Sequence, residues 1–256
     1  MRASPPSSSL SRDRATKGPI LVVGAGGLAS PILTILARSI DASLTIIDDD
    51  VVDETNLHRQ ILFGDRDVGR PKLEAARERA LAEAERAGHR LAIRTIEGRF
   101  TPENARALAQ EHALIVEGAD NLATKFLAAD AAHLAGRAIV QAGVVRWAGW
   151  AFASAPGTAC LRCVFEDVPR DRVETCATAG VVGSVVGAVG ALAASLVVRL
   201  ALGDEKAAAT LHHHDAMRGT LGRTRVRPRP DCPLCGERAS IQAIDEARYL
   251  APSCAG

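Results

Sequence analysis

The sequence predicts an α/β fold: a doubly wound, mainly parallel sheet, followed by a C-terminal half that contains antiparallel strands. Three observations carry this. Apolar strand-like runs alternate with helical segments from Pro19 to Gln141, the grammar of a parallel sheet with helices on both faces. The first run ends in Gly24-Ala25-Gly26-Gly27, a strand-to-helix turn that side chains would obstruct. Beyond residue 142 the alternation stops, and two C-x-x-C pairs stand near the two ends of the remaining chain.

In order, residues 19–23 (Pro-Ile-Leu-Val-Val) read as a buried strand and a helix runs to about Ser39. Ser43 to Ile47 is the second strand, stopped by Asp48-Asp49-Asp50. Residues 71–87 are helical, with Pro71 suited to the first helical position. Strand 91–96, helix 102–110, strand 113–117, helix 122–135 and strand 137–141 complete the first half. Segments 144–154, 208–217 and 221–228 read as further strands around an apolar helix, with a cysteine-containing loop at 155–177. Residues 1–17, rich in Ser, Pro and Arg, are expected to form a disordered tail. Residues 18–256 then make a single domain with halves at about 18–142 and 143–256.

A chain of 256 residues with 47% hydrophobic content can bury a large core, and 3% aromatics means that Ala, Val, Leu and Ile build it. A formal net charge of +1 gives no bulk electrostatic case for nucleic acid or a membrane surface as partner. The N-terminus has no apolar stretch of signal-peptide length, and cysteines paired as C-x-x-C suit metal ligation rather than a secreted disulfide framework. A reducing, cytoplasmic setting is the expectation. Ala177 to Val198 is uncharged and long enough to span a bilayer. With no second span and no flanking aromatic belt, it reads as a helix buried in the domain.

Gly24 to Ala29 nearly matches G-x-G-x-x-G between a strand and a helix, placing backbone N–H groups where a phosphate can approach a helix N-terminus. Gly24, Gly26 and Gly27 are therefore candidate nucleotide contacts, and Asp48 at the next strand end is placed to hold a ribose. On these residues alone an NAD-dependent oxidoreductase is the favoured reading. The stretch from Asp48 to Lys72 has no place in a dinucleotide fingerprint but suits a triphosphate. Arg59 and Lys72 can neutralise phosphate oxygens, Asn56 adds a neutral donor, and the carboxylates can hold Mg2+. Each basic residue singly would read as a solvated helix face; their grouping argues otherwise.

Cys160, Cys163, Cys232 and Cys235 suit a closed tetrahedral zinc site. A redox role for one pair would need it to open a helix after a strand, which neither pair is expected to do. His212-His213-His214 would alternate between sheet faces and cannot converge on one ion. Arg223, Arg225, Arg227 and Arg229 would line one strand face, either solvated or receiving an acidic carrier.

Gly24-Ala25-Gly26-Gly27-Leu28-Ala29, Asn56-Leu57-His58-Arg59-Gln60, Pro71-Lys72, Gly118-Ala119-Asp120-Asn121 and the two cysteine pairs together resemble the ThiF/MoeB/HesA adenylyltransferases, relatives of ubiquitin-activating enzymes. The resemblance runs from about Pro19 to the C-terminus. It implies a Rossmann-like ATP-binding half and a zinc-stapled C-terminal half. It also implies adenylation of the C-terminal carboxylate of a ubiquitin-like sulfur-carrier protein ending in Gly-Gly, within a homodimer. Asp50, Thr55, Asn56, Leu57, His58, Arg59, Gln60, Lys72, Asp120 and Asn121 would then surround ATP, with Asp120 acting through Mg2+. Arg59, Lys72, Asp120 and Cys176 would be catalytic. Cys176 stands before the apolar helix, whose dipole favours a thiolate, and in the family a cysteine there can form a covalent bond with the carrier.

Two departures accompany the resemblance. Family members usually begin with a longer helical segment that carries an Arg reaching the partner's ATP site, a part that Arg12 or Arg14 would have to take here. Trp150 stands where the family commonly has Gln. A peptide or small-molecule carboxylate as substrate, and a catalytically silent scaffold that binds a carrier, are the rival functions.

Overall fold

The computed structural model describes residues 16–168 and 179–249. Its centre is one eight-stranded sheet in the order β3-β2-β1-β4-β5-β6-β7-β8. The strands are β1 (Ile20–Val23), β2 (Ala42–Asp48), β3 (Leu91–Glu97), β4 (Leu114–Glu117), β5 (Ala138–Val145), β6 (Ala148–Ser154), β7 (Thr210–Asp215) and β8 (Thr220–Arg225). β3-β2-β1-β4-β5 pair in parallel, and β5 through β8 pair antiparallel. The α/β class and the mixed sheet are as the sequence predicts.

The helices are α1 (Ala29–Ala37), α2 (Lys72–Ala87), α3 (Pro102–Glu111), α4 (Leu122–Leu134), α5 (Leu161–Phe165) and α6 (Gly183–Ala201). Alternate residues of β1 feed two cores, which is why the strand reads as a continuous apolar run. Ile20 and Val22 join α1, α2 and α6 on one face, while Leu21 and Val23 join α3 and α4 on the other.

Several boundaries differ from expectation. Thr16 and Lys17, which fall within the expected tail, donate backbone bonds to Asp41 and Ala201. β5 runs on to Val145 and turns at Arg146-Trp147 into β6, so 144–154 is the end of one strand, a turn and a second strand, and the expected boundary between halves falls inside β5. Pro71 caps α2 with ψ 130° instead of entering it. β8 ends at Arg225, so Arg227 and Arg229 do not share its face, and Arg229 pairs with Glu166 at 2.6 Å. The apolar helix begins at Gly183. It is the one helix among the described residues long and apolar enough to cross a membrane, with half of that window buried against α1, β5 and β6.

Candidate nucleotide and metal sites

Strand order reverses between β1 and β4, each extending from opposite sides, and ligands of open α/β sheets bind at this crevice. A cavity of about 670 Å³ opens there, at the C-terminal ends of the parallel strands. Gly24, Gly26, Gly27, Asp48, Asp50, Arg59, Gln60, Lys72, Asp120 and Asn121 all line it. Gly24 needs its missing side chain, since its φ is +86° and its Cα faces the backbone of Ala119.

Asp48 holds the glycine turn in place. Its Oδ2 accepts the N–H of Ala25 at 2.7 Å and its Oδ1 accepts the N–H of Asp50 at 2.8 Å. Residues 51–71 then leave the sheet and return, closed by the Val51–Pro71 bridge and by the bond from Val52 N–H to Arg70 O at 2.9 Å. That closure sets Lys72 against Asp50, Nζ to Oδ2 at 2.7 Å, with the Lys72 side chain 5% exposed. Arg59 donates to Asn56 Oδ1 and reaches the cavity at the N-terminus of α6. Buried Gln60 keeps an Oε1 with no hydrogen-bond partner, an acceptor in reserve for a ligand.

The rest of the expected segment does not reach the cavity wall. Thr55 bonds to Asp53 through its backbone N–H and its hydroxyl. Asn56 is engaged with Arg59, Leu57 packs against the core, and His58 Nδ1 lies 2.8 Å from Thr55 O. These four shape the turn that presents Arg59. Asn121 caps α4, accepting Thr124 N–H at 2.8 Å. Cys176, Arg12 and Arg14 lie outside the described residues.

Four ionisable residues of the cavity wall carried no expectation. Arg99 pairs with Asp49, Nε to Oδ2 at 2.8 Å, and the bond pushes its pKa up, with Asp50 and Asp120 adding their fields. Lys125, Glu246 and Tyr249 also line the cavity. The position of Arg99 just past β3 was the one available signal, because parallel strands deliver ligand contacts at their C-terminal ends.

Among the described residues, two groups of side chains are close enough to share a metal ion. Asp48, Asp49 and Asp50 form one, a hard-oxygen set of the kind Mg2+ takes; Asp120 lines the same cavity without belonging to it. Cys160, Cys163, Cys232 and Cys235 form the other. Sγ separations of 4.0 Å (160–163), 3.5 Å (160–232) and 3.3 Å (163–235) bracket the ~3.8 Å expected for sulfurs about 2.3 Å from one tetrahedral zinc. Burial and the neighbouring sulfurs push Cys160 up, and burial raises Cys235 to about 12. Cys232 is buried too, but the N–H groups of Cys235 and Leu234 hold it low. Four thiols so packed ionise together only around a cation, which fits zinc. The first pair does open a short helix after a strand, since Cys160 caps α5, contrary to expectation. Convergence of both pairs, rather than absence of a helix, is what opposes a redox reading.

The triple histidine gathers no ion site among the described residues; His213 faces Gly222 across the strands, and His212 and His214 turn to the other side.

The model of the ThiF family matches residues 5–234. The chain is 34% identical over 238 residues to the SAMP-activating enzyme E1 of Haloferax volcanii, covering 92% of this chain and 86% of that one. It is 32% identical over 241 residues to the sulfur carrier protein adenylyltransferase of Thermus thermophilus, covering 91% and 88%. The adenylyltransferase and sulfurtransferase MOCS3 of Sus scrofa is 34% identical over 234 residues, which span 89% of this chain and 50% of that one. Among solved structures, E. coli MccB with ATP superposes at a TM-score of 0.73 with 21% identity, over 88% of this chain and 68% of that one, a likeness of fold. The chain belongs to the ThiF family.

Proposed function

We infer that this chain is an adenylyltransferase that activates the C-terminal carboxylate of a ubiquitin-like sulfur carrier. A carboxylate oxygen of the carrier attacks the α-phosphorus of ATP. The bond from that phosphorus to the bridging oxygen of the β-phosphate breaks, giving acyl-AMP and pyrophosphate. The observation that carries the reading is the convergence of Arg59, Lys72 and the β2-end carboxylates on the cavity floored by Gly24, Gly26 and Gly27. The names of the relatives supply the carrier as substrate class.

In this reading Asp48 holds the ribose, while Arg59 and Lys72 stabilise charge on the phosphates. Asp50 and Asp120 would hold Mg2+, which would neutralise phosphate charge, and Lys72, set against Asp50 at 2.7 Å, is placed to meet a phosphate. Catalysis is then chiefly positioning and electrostatics. The four cysteines hold a structural zinc, the working assembly is a homodimer, and the compartment is the cytoplasm. Cys176 remains a candidate for a covalent step with the carrier.

ATP–pyrophosphate exchange with purified candidates tests this. Exchange that requires a carrier ending in Gly-Gly supports it, and Arg59→Ala should cost about 100-fold or more in rate with the fold retained. Exchange driven by a short peptide would move the substrate class. Carrier binding without exchange would make the chain a scaffold.

A further inference from the structure

Tyr249 lies far along the chain from the glycine turn, Arg59 and Lys72, yet it lines the nucleotide cavity with them. It is 6% exposed and belongs to the same apolar cluster as Phe100 and Leu127, which line that cavity too. Phosphate chemistry draws the triphosphate to Arg59 and Lys72, so the apolar part of the cavity is left for the base.

The hydroxyl of Tyr249 donates to Asp130 Oδ2 at 2.7 Å. Asp130 is fully buried on α4 and is itself immobilised: Arg162 reaches it through Nε at 2.9 Å and Nη2 at 2.8 Å. Arg162 is 1% exposed. It lies between Cys160 and Cys163, stacks on Phe126 with 5.0 Å to the ring centroid, and also bonds Asp167 at 2.7 Å. The acceptor of the tyrosine hydroxyl is therefore a carboxylate oxygen held by two hydrogen bonds from Arg162. The segment carrying Tyr249 is a short 3-10 turn at Glu246–Arg248 and has no sheet pairing of its own.

We propose that Tyr249 is a positioning residue for nucleotide binding: anchored by Asp130, it fixes the 246–249 turn as part of the cavity wall, against which the base packs. The proposal rests on the adenylation reading. A wall already held in place lets ATP bind without ordering the segment first. Loss of the anchor weakens binding at the base and leaves the phosphate end and the chemical step alone.

The test is equilibrium binding of ATP, adenosine and inorganic tripolyphosphate to the full chain with Mg2+, together with pyrophosphate exchange. Tyr249→Phe deletes only the hydroxyl and keeps the ring. It should weaken ATP and adenosine about 10-fold, the scale of one hydrogen bond to a charged acceptor, raising KM with kcat held within twofold. Tripolyphosphate affinity should not change. Tyr249→Ala should weaken adenosine further. Unchanged adenosine affinity in Tyr249→Phe overturns the proposal, as does equal loss of adenosine and tripolyphosphate, which marks general damage. Failure of the unaltered chain to bind ATP overturns the adenylation reading instead.

Discussion

Lys125 meets Glu117 inside the protein, its Nζ 3.3 and 3.1 Å from the two carboxylate oxygens, with side chains 6% and 0% exposed. The same Nζ donates to Ala142 O, and Glu117 Oε1 accepts the N–H of Ala119 at 2.6 Å. This pair therefore ties β4, α4 and β5 together beneath the turn that carries Asp120 and Asn121. Burial pushes the Glu117 carboxyl up, against the pull of Lys125. A buried charge stripped of its partner costs far more than the pair contributes. Lys125→Met should lose about 3–5 kcal/mol of stability, and Glu117→Gln together with Lys125→Met should recover most of it. Urea unfolding measures both, and a single variant as stable as the parent contradicts the pairing.

The four cysteines close a long loop, since Cys160 and Cys232 are 72 residues apart. By loop-closure entropy a cross-link of that span is worth about 4 kcal/mol. Purified protein should hold one zinc per chain by elemental analysis. Cys232→Ser, or chelation, should lower the thermal midpoint by several degrees. A midpoint unmoved after complete metal removal would refute a structural role.

What was legible in the sequence was local. Gly24, Gly26 and Gly27 announce their turn because strand, glycines and helix are contiguous, and Asp48 stands at the next strand end. The cysteines were legible by spacing. Tyr249 and Glu246 were not, because they reach the cavity through tertiary packing that no local pattern encodes. The β5–β6 hairpin hid for a different reason. Its turn uses Arg146 at φ 53°, where Asn or Gly is the usual signal. The conformation is supported from outside the hairpin: Arg146 N–H donates to Gly180 O at 2.9 Å and Arg146 O accepts Val182 N–H at 3.1 Å. Thr55 to His58 were expected around the nucleotide from the family resemblance, with Asn56 as a neutral donor. A tight turn, though, sends adjacent side chains to different sides.

Asp67 makes the loop between β2 and α2 sensitive to acid. Its side chain is 4% exposed and pairs with Arg70 and Arg79, each at 3.0 Å, and it accepts Gly64 N–H at 3.0 Å. Burial alone would raise its pKa, but Gly64, Arg79 and Arg70 outweigh burial and hold it below 3.8. A carboxyl depressed in the folded state contributes stability above its unfolded value of about 3.9 and loses it as pH falls through the folded value. Asp67→Asn should therefore cost about 1–3 kcal/mol at pH 7, and the deficit should shrink below about pH 4. Urea titrations at pH 7 and pH 3 decide; a deficit independent of pH would show that the charge is not what matters.

Two glycines of α6 separate packing from propensity. A Cβ on Gly183 would collide with the backbone carbonyl oxygen of His58, whereas a Cβ on Gly187 would meet nothing within 4 Å. The first turn of α6 thus rests directly on the backbone that presents Arg59, and only a glycine permits that approach. Gly183→Ala should displace the Arg59 turn and lower pyrophosphate exchange at least 10-fold, because small misplacements of catalytic groups are costly. Gly187→Ala should instead stabilise the helix by about 0.5–1 kcal/mol, with exchange unchanged. Parental exchange in Gly183→Ala would mean that Arg59 does not depend on α6. The pair is informative because both changes add the same methyl to the same helix, one turn apart, so only the contact with His58 distinguishes them.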